Sequence, residues 1–420
     1  MVARPPRGLL TMRVLLVHNF YGFSAPSGEN TAYCGERELL RAAGCEVEEF
    51  VRHSDELRSR GVSGMLHGAA VTAWNPAAAK ALRRRVAAAR PDIVHVHNTF
   101  PLISPAIFHA LRDADAAVVM TVHNYRIACA SAMLSRDGQP CTLCVDARSV
   151  RPALRHRCYR DSLAATVPLA ASIALHRRLG TWRNCVDAFI ALTAFQKEML
   201  VRAGLPGERI HVKPNAFGGP AALVPWPARG GRVAFVGRLS PEKGLETLLD
   251  AWRAWGEGAP GLDVVGAGPG LDAARAYVGK HGLASRVTLH GALPPERTLE
   301  IVAAGCLLVV PSRVFEGYPM VIAEAFAHAV PVAASDIGSL RSIVTPGDNG
   351  LHFAAGDAAA LLAAIRGAWR QSGLLESLAS GARRTYERSL APQSNLEVLR
   401  STYAAARAVR RARLEGKIEA

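Results

Sequence analysis

Ser312-Arg-Val-Phe-Glu-Gly-Tyr-Pro-Met-Val-Ile-Ala-Glu-Ala-Phe326 follows a short apolar run, Cys306-Leu-Leu-Val-Val-Pro311. That run is brief, branched and closed by proline, the pattern of a fully buried strand. Glu316-Gly317-Tyr318-Pro319 then reads as a tight loop that opens a helix. Pro319 suits the first helical position, where no amide hydrogen is needed, and Gly317 lets the backbone approach a ligand closely. The free amides of the first turn and the positive end of the helix dipole suit anionic or strongly polar oxygen atoms. Glu316 and Glu324, with seven residues between them, frame that turn. Carboxylates repel phosphate, so the pair is expected to accept hydrogen bonds from the hydroxyls of a sugar and a ribose. Taken alone, a strand, a loop and an acid-bearing helix also describe an ordinary α/β unit.

A second stretch narrows the choice. In Val233-Ala-Phe-Val-Gly-Arg-Leu-Ser-Pro-Glu-Lys-Gly-Leu245 a hydrophobic strand ends at Gly237, and Arg238 and Lys243 bracket a helix start at Ser240-Pro241-Glu242. Two fixed cations at a strand's carboxyl end, beside a helix N-terminus, suit a diphosphate. With GRLSPEKG and the Glu316/Glu324 pair in its EGYP loop, the sequence resembles glycosyltransferase family 4, the retaining nucleotide-sugar transferases of GT-B architecture. The resemblance runs from Met12 to about Leu399.

The resemblance implies an α/β fold of the GT-B kind, with two Rossmann-like, doubly wound parallel-sheet domains facing across a cleft. It implies a UDP-sugar donor, with UDP-N-acetylglucosamine or UDP-glucose as the expected forms. Arg238 and Lys243 would hold the charge that grows on the β-phosphate as the glycosidic bond breaks, with the Glu316 loop alongside. His123, in TVHNYR, matches the histidine that contacts the donor sugar, and Gly28, Gly317, Tyr318, Pro319 and Glu324 match donor-binding positions. Ser27-Gly28 stands where a Gly-Gly pair is common, which leaves Gly28 open. The family mechanism is front-face attack, with a departing phosphate oxygen taking the acceptor proton and domain closure excluding water. No cofactor is expected for catalysis.

Composition fits this reading. A chain of 420 residues suits two domains of about 150 to 200 residues each. Net charge is +15, from 50 Lys and Arg against 35 Asp and Glu. Such an excess is compatible with an anionic membrane, nucleic acid or phosphorylated substrates, and equally with an arginine-biased composition needing no partner. The start has no small-residue cleavage site, and Leu163 to Leu175 is too short and too interrupted to span a bilayer. A cytoplasmic protein with reduced cysteines is expected, with at most peripheral membrane contact and no nucleic-acid partner.

Strand-like runs alternate with helical patterns along the chain, which predicts parallel sheets with ligands at the strands' carboxyl ends. Expected divisions are a loose extension at 1–11, an acceptor-binding domain at 12–214, a nucleotide-sugar-binding domain at 215–391, and at 392–420 a helix crossing back to the first domain. Gly266-Ala-Gly-Pro-Gly270 imitates a dinucleotide fingerprint, but its third glycine falls one residue early and no acid ends the next strand. That argues against a nicotinamide dehydrogenase. A sugar-nucleotide epimerase shares the expected architecture, and the GRLSPEKG and EGYP motifs favour transfer over it. A zinc-stabilised protein attached to nucleic acid or membrane through its arginines is a third reading.

The first-domain motifs also resemble those of transferases that build surface polysaccharides and of those that glycosylate 2-deoxystreptamine. A small-molecule or saccharide acceptor is therefore expected. A cationic aminocyclitol needs carboxylates, and Glu29, Asp55 and Glu56 lie in segments able to supply them. His95 and His97 alternate along HVHN as metal ligands do, although one of the two is expected to be a satisfied core residue. Cys129, Cys141, Cys144 and Cys158 fall in a long, weakly periodic segment, Ala128 to Tyr159, that needs something to order it. A structural zinc on these four thiols is one answer, with His156 as an alternative ligand, and four reduced cysteines are the other.

Overall fold

The computed structural model describes residues 12–22, 27–219 and 223–416. The extension expected at 1–11, positions 23–26 of the first strand's exit loop and positions 220–222 of the linker lie outside it. The chain divides into two compact units. The first holds the described residues up to Leu134, then Thr142–Pro214 and the chain from Asn395; the second holds Ser135–Cys141 and Asn215–Ser394.

In the first unit six parallel strands form one sheet: β1 (Arg13–Phe20), β2 (Glu46–His53), β3 (Ile93–Val96), β4 (Ala117–Val122), β5 (Ala188–Ala191) and β6 (Ile210–Val212), in the order β2-β1-β3-β4-β5-β6. Every residue of β3, β4 and β5 is buried, so their sequences read as continuous apolar runs. The edge strand β2 instead mixes charged and apolar side chains and is half-buried. Helix α1 (Gly28–Ala42) turns Ala32, Tyr33, Glu36 and Leu40 inward, a stripe of helical period that includes one acid.

Six more parallel strands make the sheet of the second unit: β7 (Arg232–Val236), β8 (Gly261–Val265), β9 (Val287–Gly291), β10 (Leu307–Val310), β11 (Val332–Ser335) and β12 (Gly350–Phe353), ordered β9-β8-β7-β10-β11-β12. The order reverses at β7, between β8 and β10. Loops leaving β7 and β10 therefore part there, and a crevice for a ligand opens at their carboxyl ends. Helix α2 (Met320–Ala327) buries Ile322, Ala323, Ala325, Phe326 and Ala327 against this sheet. Pro319 caps that helix in an extended conformation, φ −67° and ψ 112°, one position earlier than expected.

The last helix, α3 (Pro392–Leu414), lies with the first unit from Asn395 onward. Leu399, Tyr403 and Ala406 enter the core formed by Val14, Leu16, Ile93 and Ile190. Its far end closes a buried ion cluster: Asp187 has Arg410 Nε and Arg413 Nη1 each 3.0 Å from a carboxylate oxygen and accepts from the Val118 amide at 2.7 Å. Arg410 also donates to the Arg112 carbonyl at 2.7 Å.

The segment 128–159 contains short regular elements. A short ribbon pairs Ser135–Arg136 with Gln139–Pro140, and short helices cover Leu143–Asp146 and Arg151–Arg155. Ala130, Cys144 and Ala153 pack with Leu169 and Ile173 in one apolar cluster. No described helix is long and apolar enough to cross a membrane.

Removing one partner of a buried ion pair leaves an uncompensated charge. Arg410→Met is therefore expected to destabilise the protein by about 3 kcal/mol, the lower end for such losses because Arg413 still faces Asp187. Urea denaturation checks this, and a loss below about 1 kcal/mol would contradict a buried, functioning pair.

Candidate functional site

At the switch point of the second sheet, β7 ends at Val236 and the chain turns through Gly237 and Arg238 into a short 3-10 turn, Pro241–Lys243. Close packing fixes this turn. Gly244 has φ +72°, and a Cβ there would sit 1.9 Å from the Pro311 carbonyl oxygen. The Gly266-Ala-Gly-Pro-Gly270 loop lies against the same backbone, with Ala267 accepting from the Leu239 amide at 2.9 Å and Leu239 accepting from the Gly270 amide at 2.8 Å. Those glycines exist for close loop-on-loop contact, which is why the stretch mimics a dinucleotide fingerprint.

The charged groups around the turn are unequal. Arg238 is exposed and has no side-chain partner among the described residues. Lys243 Nζ lies 2.8 Å from Glu316 Oε1, which also accepts from the Ser312 hydroxyl at 2.6 Å. Glu316, Gly317, Tyr318 and Pro319 form the half-buried loop before α2. The Tyr318 hydroxyl is buried with no hydrogen-bond partner among the described residues, and burial pushes its ionisation above the ordinary range. Glu324, on the first turns of α2, also lacks a side-chain partner among the described residues, and burial raises its carboxyl from 4.5 to about 6. An exposed guanidinium, an ammonium already shared with a carboxylate and an unpaired acid thus follow the carboxyl ends of β7 and β10. They can bind a diphosphate and the hydroxyls attached to it.

The first unit gathers a different set at the ends of β1, β3 and β4. His123 Nε2 lies 3.0 Å from His97 Nδ1. His97 Nε2 in turn is 3.2 Å from Glu36 Oε1, off the axis of a well-formed hydrogen bond. His95 Nδ1 is 2.9 Å from the same oxygen and 2.9 Å from the Tyr403 hydroxyl, and its Nε2 is 2.8 Å from Thr121 Oγ1. Lys213 Nζ sits 2.8 Å from Glu36 Oε2 and donates to Asn395 Oδ1 at 2.9 Å. Burial opposes the charge on Glu36, but Lys213, His95 and His97 overrule it and hold the carboxyl well below 4.5. Burial lowers His18 to about 3, His95 to about 4 and His123 well below 6.5, so these rings stay neutral at physiological pH.

Glu36, His95 and His97 stand close enough together to ligate a metal. Lys213, Tyr403 and Thr121 already engage the carboxylate and the His95 ring, so the trio is an internal network. Both strand histidines are buried, where one had been expected to be.

Of the expected acceptor carboxylates, Glu29 alone reaches the His123 loop, through Asn124 Nδ2 at 3.2 Å. Burial raises it from 4.5 to about 7. Glu56 is held by Arg52 at 2.5 Å and accepts from the His53 amide, while Asp55 pairs with Arg58 at 3.4 Å. Gly28 is the exposed first residue of α1. Among the described residues no three of Cys129, Cys141, Cys144 and Cys158 form a metal-ligating group. Cys129 Sγ lies 3.2 Å from Ser131 Oγ, and Cys144 belongs to the apolar cluster.

Residues 37–218 match the family model described as Glycosyltransferase Family 4, and residues 230–371 match that described as Glycosyl transferases group 1. Both units are thus similar to glycosyltransferases of the family 4 kind. The chain is 29% identical over 282 residues to the 2-deoxystreptamine N-acetyl-D-glucosaminyltransferase of Streptomyces fradiae, covering 65% of this chain and 61% of that one. The lipopolysaccharide 1,6-galactosyltransferase of Salmonella typhimurium is 27% identical over 188 residues, covering 43% of this chain and 52% of that one. The chain thus spans about half to three fifths of these curated relatives. Anabaena HepE, solved in complex with UDP, superposes with a TM-score of 0.65 at 18% identity over 94% of this chain and 100% of that chain. The fold is GT-B.

Reading the motifs of this chain did not find Glu36, Lys213, Asn395 or Tyr403. Glu36 was detectable as the one acid on the apolar stripe of α1. Lys213, Asn395 and Tyr403 lie 177 to 367 positions further along the chain and carry no local signal. Arg126, whose guanidinium lies 4.0 Å from the centre of the Phe100 ring, was missed for the same reason.

The raised carboxyl of Glu324 has a consequence for stability. A folded-state value near 6 against 4.5 unfolded favours the protonated native state, so this contribution is full below about 4.5 and is lost as pH rises through 6. Glu324→Gln is accordingly expected to stabilise the protein by about 1 to 2 kcal/mol at pH 8 and to leave it unchanged at pH 4. Denaturation at both pH values reads this; destabilisation at pH 8 would show that the carboxylate has a stabilising partner.

Proposed function

We propose that the chain is a retaining glycosyltransferase that moves a hexose or N-acetylhexosamine from a UDP-sugar to a hydroxyl of a small acceptor. The reading is carried by the switch-point crevice, where Arg238, Lys243, the Glu316 loop and Glu324 follow the carboxyl ends of β7 and β10. Arg238 and Lys243 stabilise the β-phosphate as the bond to the sugar breaks, and Glu324 accepts from the ribose hydroxyls. Glu316 leaves Lys243 for a sugar hydroxyl when the diphosphate takes the ammonium. In front-face attack the departing phosphate oxygen takes the acceptor proton, so no protein base is needed.

The acceptor proposed is 2-deoxystreptamine, as part of aminoglycoside assembly in the cytoplasm. Likeness to the Streptomyces fradiae enzyme supports it. Glu29 supports it as well, being a buried carboxyl beside His123 whose ionised form attracts an ammonium. Likeness to the lipopolysaccharide galactosyltransferase supports a second reading, transfer to a lipid-linked saccharide.

Arg238→Ala and Lys243→Ala should each lose about 2 to 4 kcal/mol of transition-state stabilisation, read as kcat/KM, with stability nearly unchanged. Near-normal transfer by both variants would exclude the assigned donor site. A screen of UDP-glucose and UDP-N-acetylglucosamine against 2-deoxystreptamine and a lipid-linked sugar, with product masses, decides the acceptor. With the aminocyclitol, KM should rise as pH falls through about 7 and Glu29 loses its charge, and Glu29→Gln should abolish that dependence.

A further inference from the structure

We propose that His97, oriented by Glu36, is a positioning residue that fixes the tautomer of His123, so that His123 Nδ1 is a hydrogen-bond acceptor for a sugar hydroxyl. The proposal rests on the transferase reading for the identity of the ligand, and on the buried network alone for the tautomer.

The chain of contacts begins at a fixed charge. Glu36 is buried and its Oε2 is 2.8 Å from the Lys213 ammonium. Asn395 holds that ammonium in place, accepting from it at 2.9 Å and donating to the Pro214 carbonyl at 2.6 Å. With one oxygen committed, Glu36 turns Oε1 toward two rings, 2.9 Å from His95 Nδ1 and 3.2 Å from His97 Nε2, the latter off the axis of a well-formed hydrogen bond. A carboxylate oxygen beside a bare ring nitrogen would set lone pair against lone pair, so His97 carries its proton on Nε2. Lys213 already compensates Glu36, and a second proton on the His97 ring would place an unpaired positive charge in a buried site. His97 Nδ1 is therefore bare.

That bare nitrogen lies 3.0 Å from His123 Nε2, and the contact is a hydrogen bond only if His123 donates from Nε2. The His123 ring, neutral because it is buried, is then left with a lone pair on Nδ1. This atom is buried and has no partner among the described residues. His123 and His97 line a pocket with Phe100, Asn124, Arg126 and Trp182. A lone pair there receives an O–H and repels a carbonyl or phosphate oxygen, so the site selects hydroxyl hydrogen. The opposite tautomer would invert that preference. Without the Glu36–His97 pair, neither tautomer would be favoured by the protein.

The test uses the full chain labelled with ¹⁵N-histidine. Two-bond proton–nitrogen correlation spectra of the substrate-free protein, with His123 assigned through His123→Gln, should show the proton on Nε2 and a bare Nδ1. His97→Phe removes the acceptor and should mix the His123 tautomers, raising KM about ten-fold with a much smaller change in kcat. His97→Asn places Oδ1 near the former Nδ1 and should restore both the tautomer and KM to within about two-fold. Whether the KM for donor or for acceptor moves shows whose hydroxyl is bound. A protonated Nδ1 in the wild-type spectrum overturns the proposal, as do His97→Phe and His97→Asn variants with equal KM. The wild-type spectrum decides even if His97→Phe fails to fold. Because it is recorded without substrate, a bare Nδ1 in a protein without transferase activity would sink the functional reading and leave the tautomer assignment standing.

Discussion

A parallel sheet cannot be closed by hairpins, so every strand must be followed by a crossover, and every crossover leaves from the same edge. That constraint organises both units. All the strand-exit loops of a sheet collect along one edge, and where the strand order reverses two of them part. In the second unit the parting falls between β7 and β10, and the loops that leave those strands carry Arg238, Lys243 and Glu316. In the first it falls between β1 and β3, whose ends carry His18, Asn19 and His97. Neither site needed a special fold; each is what the winding of a parallel sheet leaves open.

The two sites solve the cost of burying charge in different ways. The second unit keeps its charges partly wet: Arg238 is exposed, and Lys243 and Glu316 neutralise each other at the surface of the crevice. Such groups can exchange partners when a ligand arrives, because water meets part of the cost during the exchange. The first unit instead encloses Glu36, Lys213 and several histidine rings with almost no exposure. There an ion pair is tolerable only when each remaining donor and acceptor is matched, and Asn395 and Tyr403 of the last helix supply part of that matching. The first arrangement favours binding and release; the second favours fixed orientation.

Helix α3 therefore does more than cover apolar surface. Asn395 steadies Lys213 near its start, Tyr403 bonds His95 in the middle, and Arg410 and Arg413 neutralise Asp187 at its end. The polar residues are spaced so that one face of the helix meets three buried groups in turn, interleaved with Leu399 and Ala406 in the core. The sequence points to a basic helix that crosses back to the first domain, and the structure adds that two of its arginines are among the best-buried charges of the unit.

The sequence by itself determined the alternation of buried strands and helices, the second-unit loops bearing Arg238, Lys243, Glu316 and Glu324, and the place of His123 at a strand end. Those features are local: burial on both faces writes continuous apolar runs, and a tight strand-to-helix turn writes its glycines and proline within a few residues. Only the tertiary structure decided that Lys243 is shared with Glu316, that Glu29 reaches the His123 loop while Asp55 and Glu56 bind arginines, and that Ala130, Cys144 and Ala153 of the 128–159 segment join one apolar cluster. It alone joined Glu36 to Lys213 and His97 to His123. A hydrogen bond between side chains far apart in the chain leaves no periodicity and no spacing behind. It comes into being when the sheet brings strand ends together, and the residue types at either end are compatible with many other partners.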